Sequence, residues 1–265
     1  MRTSAVERLT ELAAGDPRIF LITGDLGFGV LTDFAERFPD QYLNAGVAEQ
    51  NLTSVAAGIA LEGRTVFTYS IANFPTLRCL EQLRNDVCYH NANVNVIAVG
   101  GGFSYGPLGM SHHATEDIAI LRALPNMSVM VPSEPWQAAH AIDVAAEQPG
   151  PSYLRLDKSS GGTGQDAGGA WEFGKARMVR DGGALTLVAS GGILQEVVDA
   201  ADELADKGIN CRVLDFHTIK PLDADALGRA AQETGGIVTV EEHNLIGGLG
   251  AAVAESCLEG CHRPV

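Results

Sequence analysis

Gly46-Val47-Ala48-Glu49-Gln50-Asn51-Leu52 joins an apolar strand pattern over 42–45 to a run of small residues over 52–60. That run has the composition of a helix packed close against a sheet. A carboxylate at such a junction is costly to bury unless a neighbour hydrogen-bonds to it. The loop beyond a strand's carboxyl end is also where open α/β sheets place ligands. A plainer reading of Glu49 is a helix-start carboxylate favoured by the macrodipole.

Working outward, Ile19-Phe20-Leu21-Ile22 reads as a buried strand, followed by the turn Thr23-Gly24-Asp25-Leu26-Gly27. Downstream come a strand over 63–70, a helix over 76–86, a strand over 94–99 and the turn Gly100-Gly101-Gly102. A strand over 128–131, a helix over 134–146 and a strand over 153–156 complete the series. Short apolar strands separated by helices predict a parallel, doubly wound sheet. Residues 158–173 have the composition of a Gly-rich linker. A second alternation follows: strand 185–189, helix 194–207 stopped by Gly208, strand 211–215, a helix after Pro221, strand 236–240 and a helix over 250–258. The expected fold is therefore α/β, with two doubly wound domains over 1–157 and 174–265.

The chain has 265 residues, enough for two modest domains, and 46% of them are hydrophobic while only 6% are aromatic. A formal charge of -15 argues against nucleic acid or an anionic membrane as the main partner. Five cysteines, Cys79, Cys88, Cys211, Cys257 and Cys261, lack a second ligand pair near the last two, so reduced thiols in a cytoplasmic protein are expected rather than structural zinc. No signal peptide or membrane span is read, and the amino terminus opens on the amphipathic pattern Val6, Leu9, Leu12.

In this setting G-x-A-E-Q-N, the loop Gly109-Met110-Ser111-His112-His113 and the late stretch Thr239-Val240-Glu241-Glu242-His243-Asn244-Leu245-Ile246-Gly247-Gly248-Leu249-Gly250 resemble the transketolase family of thiamin-diphosphate enzymes over nearly the whole chain. The resemblance makes 1–157 a pyrimidine-binding domain and 174–265 a transketolase carboxyl-terminal domain that stops before its usual last strand and helix. It implies that Glu49 holds a proton against a ring nitrogen of the cofactor's aminopyrimidine. An aromatic ring should stack on that pyrimidine. Ala72 stands where the ring is usual, which leaves Phe74 as first choice and Tyr69 as second, either of them equally open to core packing. Asp25 matches an acidic residue near the thiazolium, or stabilises its turn. His112 matches a histidine that contacts the donor's hydroxyl oxygens, with His113 beside it where the family often carries Gln. Arg155 matches a phosphate-binding arginine, or makes a strand-end salt bridge. His243 reads as structural.

The family's Gly-Asp-Gly motif, which anchors the diphosphate through a cation, does not occur in this sequence. Gly247-Gly248-Leu249-Gly250 reads as a tight strand-to-helix turn. The resemblance thus implies a partner α subunit that carries the diphosphate-binding domain and most of the magnesium (or calcium) site. It also implies homodimeric contact through this chain, giving α₂β₂. Leu108 stands where an Asp that reads a donor hydroxyl is usual, Phe103 lies in a loop that often supplies a phosphate-contacting His, and Gly29 sits near a usual Ser. These departures point to a different or less phosphorylated sugar. The implied activity is transfer of a two-carbon ketol unit from a ketose or ketose phosphate to an aldehyde. A decarboxylating acyloin synthase using a 2-oxo acid, resembling 1-deoxyxylulose 5-phosphate synthase, comes second, because Thr115-Glu116-Asp117 and Pro125-Asn126-Met127 look more like transketolase. A non-catalytic stabilising or regulatory subunit comes third, since Glu49, His112 and Arg155 occur together on predicted strand ends.

Overall fold

A computed structural model describes residues 1–158 and 171–260. Most of the expected linker, Cys261 and the end of the chain at 261–265 lie outside the described residues. The first domain contains α1 (Arg2–Gly15), β1 (Ile19–Thr23), α2 (Thr32–Arg37), β2 (Tyr42–Asn44), α3 (Glu49–Leu61), β3 (Thr65–Ile71), α4 (Leu80–Gln82), β4 (Val94–Val99), α5 (Asp117–Ala123), β5 (Ser128–Met130), α6 (Pro135–Glu147) and β6 (Ser152–Leu156). The second contains β7 (Arg177–Arg180), β8 (Thr186–Ala189), α7 (Leu194–Ala205), β9 (Arg212–Asp215), β10 (Thr218–Lys220), α8 (Ala224–Glu233), β11 (Ile237–Val240) and α9 (Leu249–Gly260).

The main sheet has the order β10-β5-β6-β4-β3-β1-β2, and every pairing is parallel except that of β10. Strands β4 and β6 are buried along their full length. That is what helices on both faces require of a parallel sheet, and it explains the unbroken apolar runs in the sequence. One face packs under α1 and α6, through Leu9, Phe67, Ile142 and Leu154. The other packs under α3 and α5, through Ile22, Leu52, Val66, Val96 and Ile118. This second layer runs on without a break into Phe216, Leu227, Leu249 and Val253 of the second domain, so the two domains share a core. The second sheet, β11-β8-β9-β7, is parallel apart from its edge strand β7.

The sequence reading lacks α2, α5 and the edge strand β7, and two further elements depart from it. The helix expected over 76–86 is broken: a run of turns follows Pro75, α4 is only Leu80–Gln82, and Leu83–Cys88 is π-helical. Its wide turn is closed by bonds such as Tyr89 N–H to the Arg84 carbonyl (3.0 Å), and it keeps Leu83, Val87 and Cys88 in the core together. Strand β10 falls where the sequence pattern offers only a connection. It leaves the second domain and pairs antiparallel with β5, Thr218 opposite Met130.

Between the domains lies a buried polar cluster. Asp215 accepts hydrogen bonds from Ser133 Oγ (2.7 Å), Gln137 Nε2 (2.6 Å) and Arg177 Nε (3.2 Å). Nearby, His217 stacks on Trp171 at 3.7 Å. Burial, with Arg177 adding to it, pulls the His217 pKa down from 6.5 to about 3. Between those values only the unfolded chain binds the proton. Stability therefore rises with pH across this window and is lost as pH falls from about 6.5 toward 3. Burial raises the Asp215 carboxyl instead, which acts in the opposite sense just above its ordinary range. The histidine is expected to remove about 2 kcal/mol between pH 7 and 5. Urea unfolding of His217→Phe, which keeps an aromatic face against Trp171, should show a pH dependence flatter by that amount.

Candidate active site

The carboxyl ends of β1, β2, β3, β4 and β6 lie side by side. From β1 the sheet grows one way to β2 and the other way to β3, so the crevice above these strands is a topological switch point. Glu49 is the first residue of α3, three positions earlier than the apolar run suggests, and it is only 3% exposed. Its Oε2 accepts a hydrogen bond from Arg78 Nη1 at 3.0 Å. The β1 turn lies beside it: a Cβ on Gly24 would stand 3.8 Å from Glu49 Cγ. Asn44 fixes both turns, because its Oδ1 accepts from the Asp25 and Gly46 N–H groups and its Nδ2 donates to Asp25 Oδ1, all at 3.0 Å. Asp25 is thereby held at φ +60° with an exposed carboxylate at the mouth.

Phe74, half-buried beyond β3, forms the other wall. The His112 ring meets Phe74 edge-on at 5.2 Å and Tyr105 at 5.8 Å. Asn73 Nδ2 donates to the Ser111 carbonyl (2.7 Å), which ties this wall to the histidine loop. His112 Nδ1 bonds to Ser111 Oγ at 2.9 Å, and among the described residues its Nε2 has no hydrogen bond. His113 is employed differently. Its Nε2 lies 3.0 Å from the Gly106 carbonyl, which can only accept, so that nitrogen donates and braces the loop. Gly100, at φ +88°, is needed here, since a Cβ would lie 2.0 Å from Tyr105 Cε2.

Two expected residues stand elsewhere. Tyr69 is 4% exposed and belongs to the layer under α1 and α6, on the face of β3 opposite α3. The ring is therefore core rather than a stacking surface beside Glu49, and its burial pushes the hydroxyl pKa up to about 12. Arg155 is 1% exposed and lies beneath the crevice. Its Nε stands 2.9 Å from Asp117 Oδ2, and Nη2 donates to the carbonyls of Ala114 (3.2 Å) and Glu242 (2.7 Å). These partners belong to the histidine loop, α5 and the second domain, so Arg155 is an internal tether that faces protein groups rather than solvent. The cation that β6 presents to solvent is Lys158, which the sequence places in the linker by composition. Its Nζ lies 3.6 Å from the centroid of the Tyr105 ring, on the His112 side of the mouth. The signal that could have found it is position: Arg155 is interior to a fully buried strand, whereas Lys158 follows its end.

The residues present suit a flat, nitrogen-rich ring. A buried carboxylate faces it from α3, Phe74 offers a face, and two buried oxygens near β3's end, Ser70 Oγ and Asn73 Oδ1, have no hydrogen-bond partner among the described residues. Thiamin diphosphate's aminopyrimidine has the matching ring nitrogen and donor amine. Among the described residues no three His, Cys, Asp or Glu side chains are grouped to hold a metal ion.

A doubly wound sheet with a buried helix-start glutamate at its switch point, followed by a second α/β domain, defines a two-domain α/β protein with a candidate ligand crevice at its strand ends. The chain belongs to the transketolase family: residues 1–163 match its pyrimidine binding domain and residues 174–265 its C-terminal domain. It is 39% identical over 260 residues to the B component of the apulose-4-phosphate transketolase of Phocaeicola vulgatus, covering 97% of this chain and 83% of that one. It is 35% identical to the 6-deoxy-6-sulfo-D-fructose transketolase subunit SqwH of Clostridium sp. (strain MSTE9), covering 100% and 83%. Among solved structures, a split gene transketolase described as an inactive beta4 tetramer superposes with TM-score 0.91 at 38% identity, covering 100% of this chain and 86% of that one.

Proposed function

We propose that this chain is the pyrimidine-binding β subunit of a split transketolase, a transferase that moves a two-carbon ketol unit from a ketose to an aldehyde. The observation that carries this reading is Glu49, buried at the head of α3 with Phe74 and His112 on the facing wall. Two relatives named as the B component of a transketolase support it. Thiamin diphosphate, when bound, supplies the carbanion chemistry that the reaction needs. Glu49 holds a proton at the ring nitrogen of the aminopyrimidine, and Phe74 fixes the plane of that ring. His112, through Nε2, donates to or accepts from a donor hydroxyl, and Asp25 places a carboxylate on the thiazolium side. A partner α subunit supplies the diphosphate-binding domain and the magnesium (or calcium) site, in an α₂β₂ assembly. No helix among the described residues is long and apolar enough to cross a membrane. A cytoplasmic setting suits sugar substrates and the reduced thiols of Cys79, Cys88 and Cys211.

Lys158 takes the anion-reading role first expected of Arg155. The named substrates of two relatives, a sugar phosphate and a sulfo-sugar, both carry an anion that a lysine ammonium at the mouth would hold. Lys158→Ala is expected to raise KM for an anionic ketose roughly tenfold and to leave an uncharged ketose unaffected. Steady-state assays with the two donors would check this.

The function itself is tested by calorimetry with thiamin diphosphate and magnesium, using this chain alone and mixed with a chain carrying a Gly-Asp-Gly diphosphate-binding domain. Binding in the mixture alone, followed by ketol transfer, is the expected result. A mixture that assembles yet binds no cofactor would overturn the reading.

A further inference from the structure

Arg78 belongs to no expected site, yet it touches two of the residues that matter most. Its Nη1 is 3.0 Å from Glu49 Oε2, and its guanidinium carbon lies 4.5 Å from the centroid of the Phe74 ring. A guanidinium is flat, its edge donates hydrogen bonds, and its face stacks on aromatic rings. Those are the two contacts an aminopyrimidine must make here, an edge to Glu49 and a face to Phe74. Both groups cannot make them at once. The geometry points to Arg78 as a displaceable placeholder: it covers Phe74 and neutralises Glu49 in the unloaded protein, and it withdraws as thiamin diphosphate enters. This rests on the cofactor reading above.

The local structure suits such a movement. Arg78 lies in the run of turns between β3 and α4. Thr76, whose Oγ1 donates to the Ala72 carbonyl at 2.7 Å, and Cys79 are buried and pin the run in place. Leu77 and Arg78 project outward, and the Arg78 side chain is 48% exposed against 4% for Glu49. The guanidinium can therefore swing into water without burying a charge or moving the backbone pins. Glu49 gains more from the pairing than Arg78 does, because a buried carboxylate left alone is costly. The contact thus steadies the unloaded chain and opposes loading by the same amount.

Calorimetric titration of the reconstituted pair with thiamin diphosphate and magnesium tests this, comparing wild type with Arg78→Met and Arg78→Lys. Arg78→Met should bind the cofactor about threefold to tenfold more tightly. It should also melt lower when unloaded and gain more in Tm on cofactor addition. Arg78→Lys, which keeps the charge but loses the flat face, should fall between the two. Unchanged or weaker binding by Arg78→Met, beside normal wild-type binding, would overturn the placeholder role, since Arg78 would then be indifferent or part of the loaded site. A wild-type pair that binds no cofactor would overturn the parent reading, and this one with it.

Discussion

Glu49→Gln will lower turnover of the reconstituted pair by roughly two to four orders of magnitude while leaving assembly intact. The substitution preserves shape and hydrogen-bonding reach but removes the carboxyl group that can hold an exchangeable proton against the aminopyrimidine. The fold has little reason to object. The one ion pair lost is with Arg78, which is 48% exposed, so the cost should not exceed about 1 kcal/mol. A glutamine in the same place still accepts from Arg78 through its amide oxygen. Gel filtration with the partner should be unchanged, and the circular dichroism melt should move little. Activity within tenfold of wild type would mean that Glu49 is a helix-start carboxylate without a catalytic part.

The largest effect on stability is expected at Arg155. Asp117 Oδ2 receives the Tyr153 hydroxyl at 2.6 Å and faces Arg155 Nε at 2.9 Å, in a region where both ionised groups are almost fully buried. The Arg155–Asp117 contact is an ion pair rather than an aligned hydrogen bond, since Nε finds no hydrogen-bond partner. Removing one member leaves the other charge buried and uncompensated, a loss of about 3–5 kcal/mol. Arg155→Met should therefore lower Tm by about 10 °C. Asp117→Ala should be at least as severe, because it also strands the Tyr153 hydroxyl. The double variant Arg155→Met, Asp117→Ala should recover part of the loss, since it leaves neither member of the pair facing a gap, although buried Asp157 also loses the attraction of Arg155. Denaturant unfolding of the four proteins gives the coupling directly. Single variants within 1 kcal/mol of wild type would show the pair to be dispensable.

Arg155 also marks where the sequence stopped being informative. G-x-A-E-Q-N marked Glu49 as a carboxylate between a strand and a helix, and the fold has it there, buried at the head of α3. Phe74 and the histidine loop were expected from the family resemblance, and the fold brings Phe74 and His112 into contact. Within the strands that guide disappears. A half-exposed strand announces its faces by alternation, but Ser152–Leu156 is buried on both sides, so nothing in the string separates an arginine pointing at substrate from one pointing at Asp117. Tyr69 failed by parity. One residue either way on β3 exchanges the α3 layer for the α1 and α6 layer, and an aromatic suits either. The alternation of the parallel strands and their helices was legible, while the antiparallel edge strands β7 and β10 were not. Nor was the π-helical turn at Leu83–Cys88, because its apolar spacing is compatible with an ordinary helix. Arg78 was invisible for a related reason: its contacts depend on that run of turns, not on a helix face.

The antiparallel seat of β10 beside β5 bears on how such a chain could have been assembled by gene rearrangement. A second domain moved, swapped or supplied in trans would carry away the outermost strand of the first domain's sheet, baring the N–H and C=O groups of β5 to any passing strand. It would also lay open the apolar layer now shared by Phe216, Leu227 and Val253. Parting the two domains therefore costs both the strand pairing and the shared layer, so they are expected to behave as one unit. Limited proteolysis between them should yield fragments that stay together until denaturant is added.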